Sequence, residues 1–290
     1  MTGLRAFNST IPVYAVHWGD PEALREMLDG MNVRTMPQAA GRSPRNRFLC
    51  KWAALRHGFE EDELLYLDTD VAVHADIERL FEETGPEDYH ARIEPACHRE
   101  RYPRLVGLKV FGESQMDHRM YETLCRGMGA AVAPLFNGGV MLYKNGLHRK
   151  AAARVSEIER LWSFFASKRL PYPCQVVRVM DEVAGTLGLA RIPGFCWSEL
   201  APELCPFYVE RRTGDVADPG VVTHVFSSYY PAFLFETEGP EAAREYLALS
   251  RTSTQREWVF SAWVRFGVWR SRFPDWMLEA WASRARGVLG

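Results

Sequence analysis

Short apolar runs alternate with amphipathic stretches along most of the chain. Apolar runs typical of strands inside a sheet occupy residues 11–16, 64–67, 89–94, 140–143 and 220–227. Helical spacing of apolar residues, or residues that start helices, predicts helices at 22–29, 45–55, 76–81, 114–128, 151–168 and 177–187. Residues 31–45, which contain two prolines and a glycine, are predicted to form a loop. This alternation predicts an α/β fold with a mostly parallel, Rossmann-like central sheet flanked by helices.

One apolar run leads directly into a pair of acidic residues, Asp68-Thr69-Asp70. Because an unpaired buried carboxylate is costly, the two aspartates are expected where the strand leaves the core. Alternate residues of an extended chain point the same way, so both carboxylates can face one cation. Hard oxygen ligands of this kind suit Mg²⁺ or Mn²⁺. The same three residues are also compatible with an ordinary strand end.

Further candidate residues lie near the ends of other predicted elements. His17 and Trp18 follow the first strand, where open α/β sheets bind ligands, although a packed turn explains them equally well. Arg47 and Lys51 share one face of the helix before the acidic strand. They form either a solvated surface or a cationic contact for a pyrophosphate.

A second informative stretch is Asn137-Gly138-Gly139, just ahead of a strand. The glycines permit either a bulge or the close approach of another group, and the Asn amide offers a donor and an acceptor to a sugar hydroxyl. His224 follows a run of β-branched residues, as a third metal ligand from a sheet would. A single histidine is more often structural.

Composition narrows the class of protein. The chain has 290 residues, 47% of them hydrophobic and 25% charged, with a net charge of -2. These values are ordinary for a globular protein and argue against nucleic acid as the main partner. Six scattered cysteines without a C-x-x-C pair predict reduced thiols and a cytoplasmic location. No apolar stretch approaches the ~20 residues of a membrane span.

The segment 251–290 differs from residues 1–250, which are predicted to form the catalytic domain. It contains seven arginines, three acidic residues and five of the nine tryptophans. We predict a helical C-terminal extension in which apolar residues share a face flanked by arginines. Packing on the catalytic domain or a dimer contact is favoured over an interfacial helix at the inner face of an anionic membrane.

Together these stretches resemble the retaining GT-A glycosyltransferases of the glycogenin and lipopolysaccharide galactosyltransferase family. The resemblance spans residues 11–235 and lies in motif content and order: Lys51, Leu-Tyr-Leu-Asp68-Thr-Asp70, Phe-Asn137-Gly-Gly-Val, Asp181-Glu182 and His224. It implies a GT-A fold and transfer of a hexose from a nucleotide sugar, UDP-glucose or UDP-galactose, to a glycan, a lipid-linked glycan or another hydroxyl acceptor. It also implies retention of configuration.

The resemblance implies a role for each matching residue. Asp68, Asp70 and His224 would hold Mn²⁺, or Mg²⁺, against the donor's diphosphate. The residues implied to bind the remainder of the nucleotide sugar are Val13, Tyr14, Ala15, His17, Trp18, Arg47, Lys51, Thr69, Gly138 and Gly139. Asp181, Glu182 and Asn137 would form the catalytic group beside the sugar.

The chain departs from the family at two places. Glu182 stands where the family usually has Gln, and Phe226-Ser-Ser-Tyr-Tyr-Pro231 replaces a Lys-Pro-Trp-like segment. A carboxylate at 182 is compatible with electrostatic support of the anomeric carbon or with a base that would invert it.

Three alternatives stay open at this stage: a nucleotidyltransferase, a non-catalytic nucleotide-sugar-binding protein of the same fold, and a haloacid-dehalogenase-type phosphatase. The last normally has Thr or Val where this chain has Ala72.

Overall fold

A computed structural model describes residues 2–8, 10–17, 21–37, 49–93, 125–167, 180–225 and 230–243. Most of the helix predicted at 114–128 and all of the segment 251–290 lie outside these residues. Trp18 and Arg47 lie outside them as well.

The described elements are eight strands and eight helices that are interspersed along the chain. The strands are β1 (Tyr14–His17), β2 (Arg34–Pro37), β3 (Leu64–Leu67), β4 (Val71–Val73), β5 (Tyr89–Ile93), β6 (Phe136–Tyr143), β7 (Trp197–Glu199) and β8 (Val222–His224). The helices are α1 (Thr2–Phe7), α2 (Pro21–Leu28), α3 (Cys50–Ala54), α4 (Glu78–Glu82), α5 (Leu147–Ser167), α6 (Met180–Ala190), α7 (Tyr208–Thr213) and α8 (Tyr230–Thr237). A single 3₁₀ turn, Leu55–His57, extends α3. The predicted α/β class, with a central sheet flanked by helices, is confirmed.

The central sheet has four strands in the order β3-β6-β5-β7. Strand β6 pairs antiparallel with both β3 and β5, whereas β5 and β7 are parallel. Two further pairs, parallel β1–β2 and antiparallel β4–β8, form separate small sheets. The prediction of mostly parallel pairing is therefore wrong for the described strands. An apolar run fixes the burial of a strand but not its direction, which depends on the connection that precedes it.

Strand β3 packs against apolar clusters on both faces, as its unbroken apolar run predicts, but its four residues are only partly buried. Leu64 and Tyr66 pack against a core cluster that contains Trp52, Tyr89, Phe136 and residues of α5 and α6. Leu65 and Leu67 pack on the opposite side against a second cluster, which includes Leu80, Val140 and Val222. The strand therefore ends between two cores, and Asp68 is the first residue beyond them.

Two long helices cover the first core cluster. Val155 and Ile158 of α5 are fully buried, which confirms its predicted apolar face. On α6, a β-carbon at Gly185 would collide with the indole of Trp52, and one at Gly188 would collide with Ile158. Small residues on α6 thus allow α3 and α5 to approach it closely.

Strand β2 forms within residues predicted to be a loop. It pairs in parallel with β1, with Tyr14 opposite Arg34 and His17 opposite Pro37. The sequence Arg-Thr-Met-Pro has no apolar alternation, so the pairing with β1 creates this strand without a local hydrophobic signal.

Within the described residues, no helix has the length and apolar character needed to cross a membrane.

We predict that the protein loses stability in mild acid, because it contains buried histidines. Burial lowers the pKa of His90 and His148 below the ordinary 6.5, and each ring contacts a backbone carbonyl at 3.0 Å. Between the folded and unfolded pKa values, only the unfolded chain takes up these protons, so the free energy of unfolding should fall as the pH drops below about 6.5. Urea unfolding in EDTA at several pH values measures this pH dependence of the free energy of unfolding. His148→Gln, which keeps a donor for the Phe59 carbonyl, should flatten the pH dependence; an unchanged slope would contradict the assignment.

Candidate active site

The first part of the site is the turn that joins β3 to β4. The Asp68 amide donates to the Gly139 carbonyl of β6 at 2.8 Å, and the Val71 amide donates back to the Asp68 carbonyl at 3.3 Å. Asp68 and Asp70 are thus brought together by a tight turn and not by the continuous extended strand that the Asp-Thr-Asp spacing predicts. Thr69 lies exposed between them.

The second part is the short antiparallel pair β4–β8, which places His224 beside Asp70. The Val225 amide donates to the Asp70 carbonyl at 2.9 Å, and His224 Nε2 lies 3.4 Å from Asp70 Oδ1. Burial alone would raise the pKa of Asp70, but the hydrogen bond and charge of His224, aided by a backbone amide and Lys51, hold that pKa below its ordinary value. Asp70 is therefore a carboxylate at neutral pH.

Asp68, Asp70 and His224 form one cluster of possible metal ligands. One ligand atom from each lies within 4.8 Å of the other two. Two carboxylate oxygens and one imidazole nitrogen suit Mn²⁺, and the two oxygens also suit Mg²⁺. The residue types and their convergence fit the ion that the sequence motif implies.

Two more side chains hold the Asp68 carboxylate. Lys51, buried on α3, lies 3.5 Å from Asp68 Oδ2 and donates to the Gly138 carbonyl at 3.3 Å. Tyr66 donates from its hydroxyl to Asp68 Oδ1 at 2.5 Å. Burial and the charge of Asp68 raise the pKa of Tyr66 well above its ordinary value, so the hydroxyl keeps its proton. Sequence reasoning missed Tyr66, although its position two residues before Asp68 on the same strand face was an available signal.

The start of β6 forms the floor of the site. Glu182 of α6 accepts the Gly138 amide at 2.9 Å and the Asn137 side-chain amide at 3.3 Å, both at Oε1. Asn137 Oδ1 in turn accepts the Gly139 amide at 3.0 Å. Asn137 and Glu182 are both buried, so this network is fixed by packing as well as by hydrogen bonds.

The two glycines of β6 allow functional side chains to lie directly on the strand. A β-carbon at Gly139 would collide with the imidazole of His224, and one at Gly138 would lie 2.6 Å from Lys51 Nζ. The sequence left a bulge or a close approach open for this pair. The structure has the close approach, from His224 and Lys51. The pairing of β5 with β6 also shifts register between Ala91 and Ile93, opposite these glycines.

A buried ion pair holds the segment that packs against His224. Arg92 of β5 binds Glu210 of α7 through Nη2 at 2.8 Å, and both side chains are at most 1% exposed. Glu210 also accepts the Phe207 amide at 2.7 Å, and the Phe207 ring lies 6.0 Å from the His224 ring. The neighbouring Pro206 carbonyl accepts the His224 amide at 3.1 Å. The position of Arg92 among apolar residues is the one local sequence feature that points to this arrangement.

The predicted nucleotide-binding residues lie in and just before β1. Val13 packs against the second core cluster, and Ala15 is paired with Thr35. Tyr14 donates from its hydroxyl to Glu61 at 2.6 Å. His17 ends the strand, and neither of its ring nitrogens, which are shielded from solvent, makes a hydrogen bond within the described part of the chain. Asp181 is the second residue of α6.

Comparison with known proteins gives similarity at the level of structure. No protein-family model and no curated protein sequence matches the chain. The structure is similar to that of the galactosyltransferase LgtC in complex with donor and acceptor sugar analogs, with 17% identity, a TM-score of 0.49, and coverage of 89% of this chain and 93% of LgtC.

Two further similar structures are glycosyltransferases. The apo form of GlyE from Streptococcus pneumoniae TIGR4 has 16% identity and a TM-score of 0.46, with 86% of this chain and 58% of that one covered. The bifunctional glycosyltransferase WbbM has 14% identity and a TM-score of 0.47, with 91% and 48% covered. At these identities the chemistry of this chain has to be argued from its own residues.

Proposed function

We propose that the protein is a metal-dependent glycosyltransferase that moves a hexose from UDP-glucose or UDP-galactose to a hydroxyl acceptor with retention of configuration. The observation that supports this most directly is the convergence of Asp68, Asp70 and His224 beside the buried amine of Lys51. Two carboxylates with an adjacent lysine are suited to a cation and to the phosphates that the cation neutralises.

The proposed ion is Mn²⁺ or Mg²⁺, held by Asp68, Asp70 and His224. When bound, it supplies a Lewis acid that neutralises the charge developing on the leaving diphosphate. Lys51 adds a second positive charge from the protein, and its contact with the Gly138 carbonyl fixes the amine on the β6 side of the site. Tyr66 keeps the Asp68 carboxylate oriented through its hydroxyl.

The remaining predicted residues are proposed to bind the rest of the donor. The base and ribose are proposed to lie at β1, because ligands bind beyond the carboxyl ends of strands in such sheets. The residues proposed to hold them are Val13, Tyr14, Ala15, His17 and Trp18. Arg47 is proposed to assist Lys51 at the phosphates.

The sugar itself is proposed to lie over Gly138 and Gly139, next to Asn137 and the start of α6. Asn137 can exchange hydrogen bonds with sugar hydroxyls. The negative charge of Asp181 lowers the energy of the cation-like anomeric carbon. The acceptor is proposed to be a hydroxyl of a glycan or of a lipid-linked glycan.

The experiment that tests the proposal is product analysis with UDP-glucose, UDP-galactose and GDP-hexoses. We expect free UDP to appear with Mn²⁺ and not in EDTA, and the anomeric configuration of the product, measured by NMR, to match that of the donor. Release of pyrophosphate would instead identify a nucleotidyltransferase. Thermal stabilisation by UDP without any product would identify a non-catalytic binding protein. Turnover that persists in EDTA would contradict the metal assignment.

A further inference from the structure

Glu182 makes its described contacts with the backbone and side chain of β6. It is the third residue of α6 and only 8% exposed. Its Oε1 atom accepts the Gly138 amide at 2.9 Å and the Asn137 side-chain amide at 3.3 Å. A carboxylate that leaves water needs hydrogen bonds to its charge, and these two donors supply them.

Glu182 holds Gly138 and Asn137 directly, and Asn137 in turn holds Gly139. These residues are connected to the groups proposed to bind the metal and the phosphates. The Gly138 carbonyl accepts Lys51 Nζ at 3.3 Å. The Gly139 carbonyl accepts the Asp68 amide at 2.8 Å, and the Gly139 amide donates to Asn137 Oδ1 at 3.0 Å. A shift of the Asn137–Gly139 backbone would therefore move both Lys51 and Asp68.

We propose that Glu182 is a positioning residue and not a catalytic base or nucleophile, an assignment that rests on the proposed function. Its carboxylate acts as an acceptor that locks the first residues of β6 against α6. Through Gly138 and Gly139, that lock sets the positions of Lys51 and Asp68. Both described contacts need only an acceptor oxygen, so a neutral amide at this position can make them too.

Three variants separate this role from chemistry at Glu182. Glu182→Gln keeps an acceptor oxygen and removes the charge and the basicity, whereas Glu182→Ala removes the acceptor. Thr186→Val is the matched control, because Thr186 lies one turn further along α6 and accepts the Phe136 amide at 3.4 Å. It removes an α6–β6 hydrogen bond without touching residues 137–139.

The measurements are the Kd for Mn²⁺ alone, from the EPR signal of the free ion, and kcat and KM for release of UDP by the full chain. For Glu182→Gln we expect both Kd and kcat to stay within about fivefold of the parent, since a neutral hydrogen bond is only modestly weaker than a charged one. For Glu182→Ala we expect Mn²⁺ binding to weaken by about tenfold, as for other groups that orient metal ligands. Its kcat should fall by about 10²-fold, the cost of a 1 Å misplacement. Thr186→Val should match the parent.

Two results would overturn the positioning role. One is a loss of kcat of about 10³-fold or more in Glu182→Gln with an unchanged Kd for Mn²⁺, which is the behaviour of a base or nucleophile. The other is a Glu182→Ala protein with the parent's Mn²⁺ affinity. If the parent binds Mn²⁺ and turns over no donor, the proposed function fails while the Mn²⁺ series still decides the positioning role.

Discussion

Replacing Asp70 by Asn is expected to remove tight Mn²⁺ binding and to lower kcat/KM by about 10³-fold, because a metal Lewis acid contributes several kcal/mol to the stabilisation of the transition state. Asn keeps the shape of the side chain and can still accept a hydrogen bond from His224, which lies 3.4 Å away. The variant therefore removes the charge of one proposed ligand while β4 and β8 stay paired. Isothermal titration with Mn²⁺ and UDP release by the same preparation measure the two effects.

The control for Asp70→Asn is Asp62→Asn, which neutralises an exposed carboxylate paired with Arg149 on the surface. It should bind Mn²⁺ and turn over donor like the parent. An Asp70→Asn protein with full activity would mean that the cluster of Asp68, Asp70 and His224 holds no catalytic ion. Loss of both properties together with loss of the folded state would show that Asp70 is needed for stability instead.

Replacing Arg92 by Met is expected to lower the free energy of unfolding by about 3–5 kcal/mol, since it leaves a buried charge without its partner. Glu210 is fully buried and binds Arg92 at 2.8 Å, and Glu199 lies 3.5 Å from the same guanidinium. Without Arg92, the fully buried Glu210 must stay charged in the interior or take up a proton, and the partly buried Glu199 loses a nearby positive charge. Urea unfolding at neutral pH measures the loss.

An exposed ion pair gives the matched control for Arg92. Arg56 and Glu159 are also 2.8 Å apart, with exposed fractions of 38% and 33%, and Arg56→Met should cost less than about 1 kcal/mol. Adding Glu210→Gln to Arg92→Met should recover part of the loss, because Gln removes the charge and can still accept the Phe207 amide. No recovery would mean that the packing of the Arg92 stem, and not the unpaired charge, sets the cost.

The parts of the site that could be predicted from the sequence are those with a local signal. The apolar run of β3 predicted that both of its faces pack against apolar clusters, and the carboxylates that follow it had to lie at the edge of the core. The β-branched residues before His224 place it at the end of a strand. Gly138 and Gly139 have no side chains, so they mark a part of the strand that another group can approach closely. In each case the residue and its neighbours in the chain indicated its position in the fold, while the sequence left its role open.

The parts that could not be predicted depend on contacts between distant segments. Glu182 and Gly138, like Arg92 and Glu210, are far apart in the sequence, and no periodic pattern links such a pair. The antiparallel direction of β6 and the existence of β2 follow from pairing with other strands. The approach of Asp68 to Asp70 depends on a hydrogen-bonded turn, whereas the Asp-Thr-Asp spacing predicted an extended chain.

The pairing of β4 with β8 has a consequence for folding. Each strand has only three residues, and the two lie far apart in the sequence. A cation shared by Asp68, Asp70 and His224 would act as a cross-link that closes the long loop between them, much as a disulfide does. Of the sheets within the described residues, this two-stranded pair has the fewest residues, so without a metal it has the fewest contacts to resist fraying. Metal concentration would then govern how often the amides of β4 and β8 open to solvent exchange, independently of whether any donor is present.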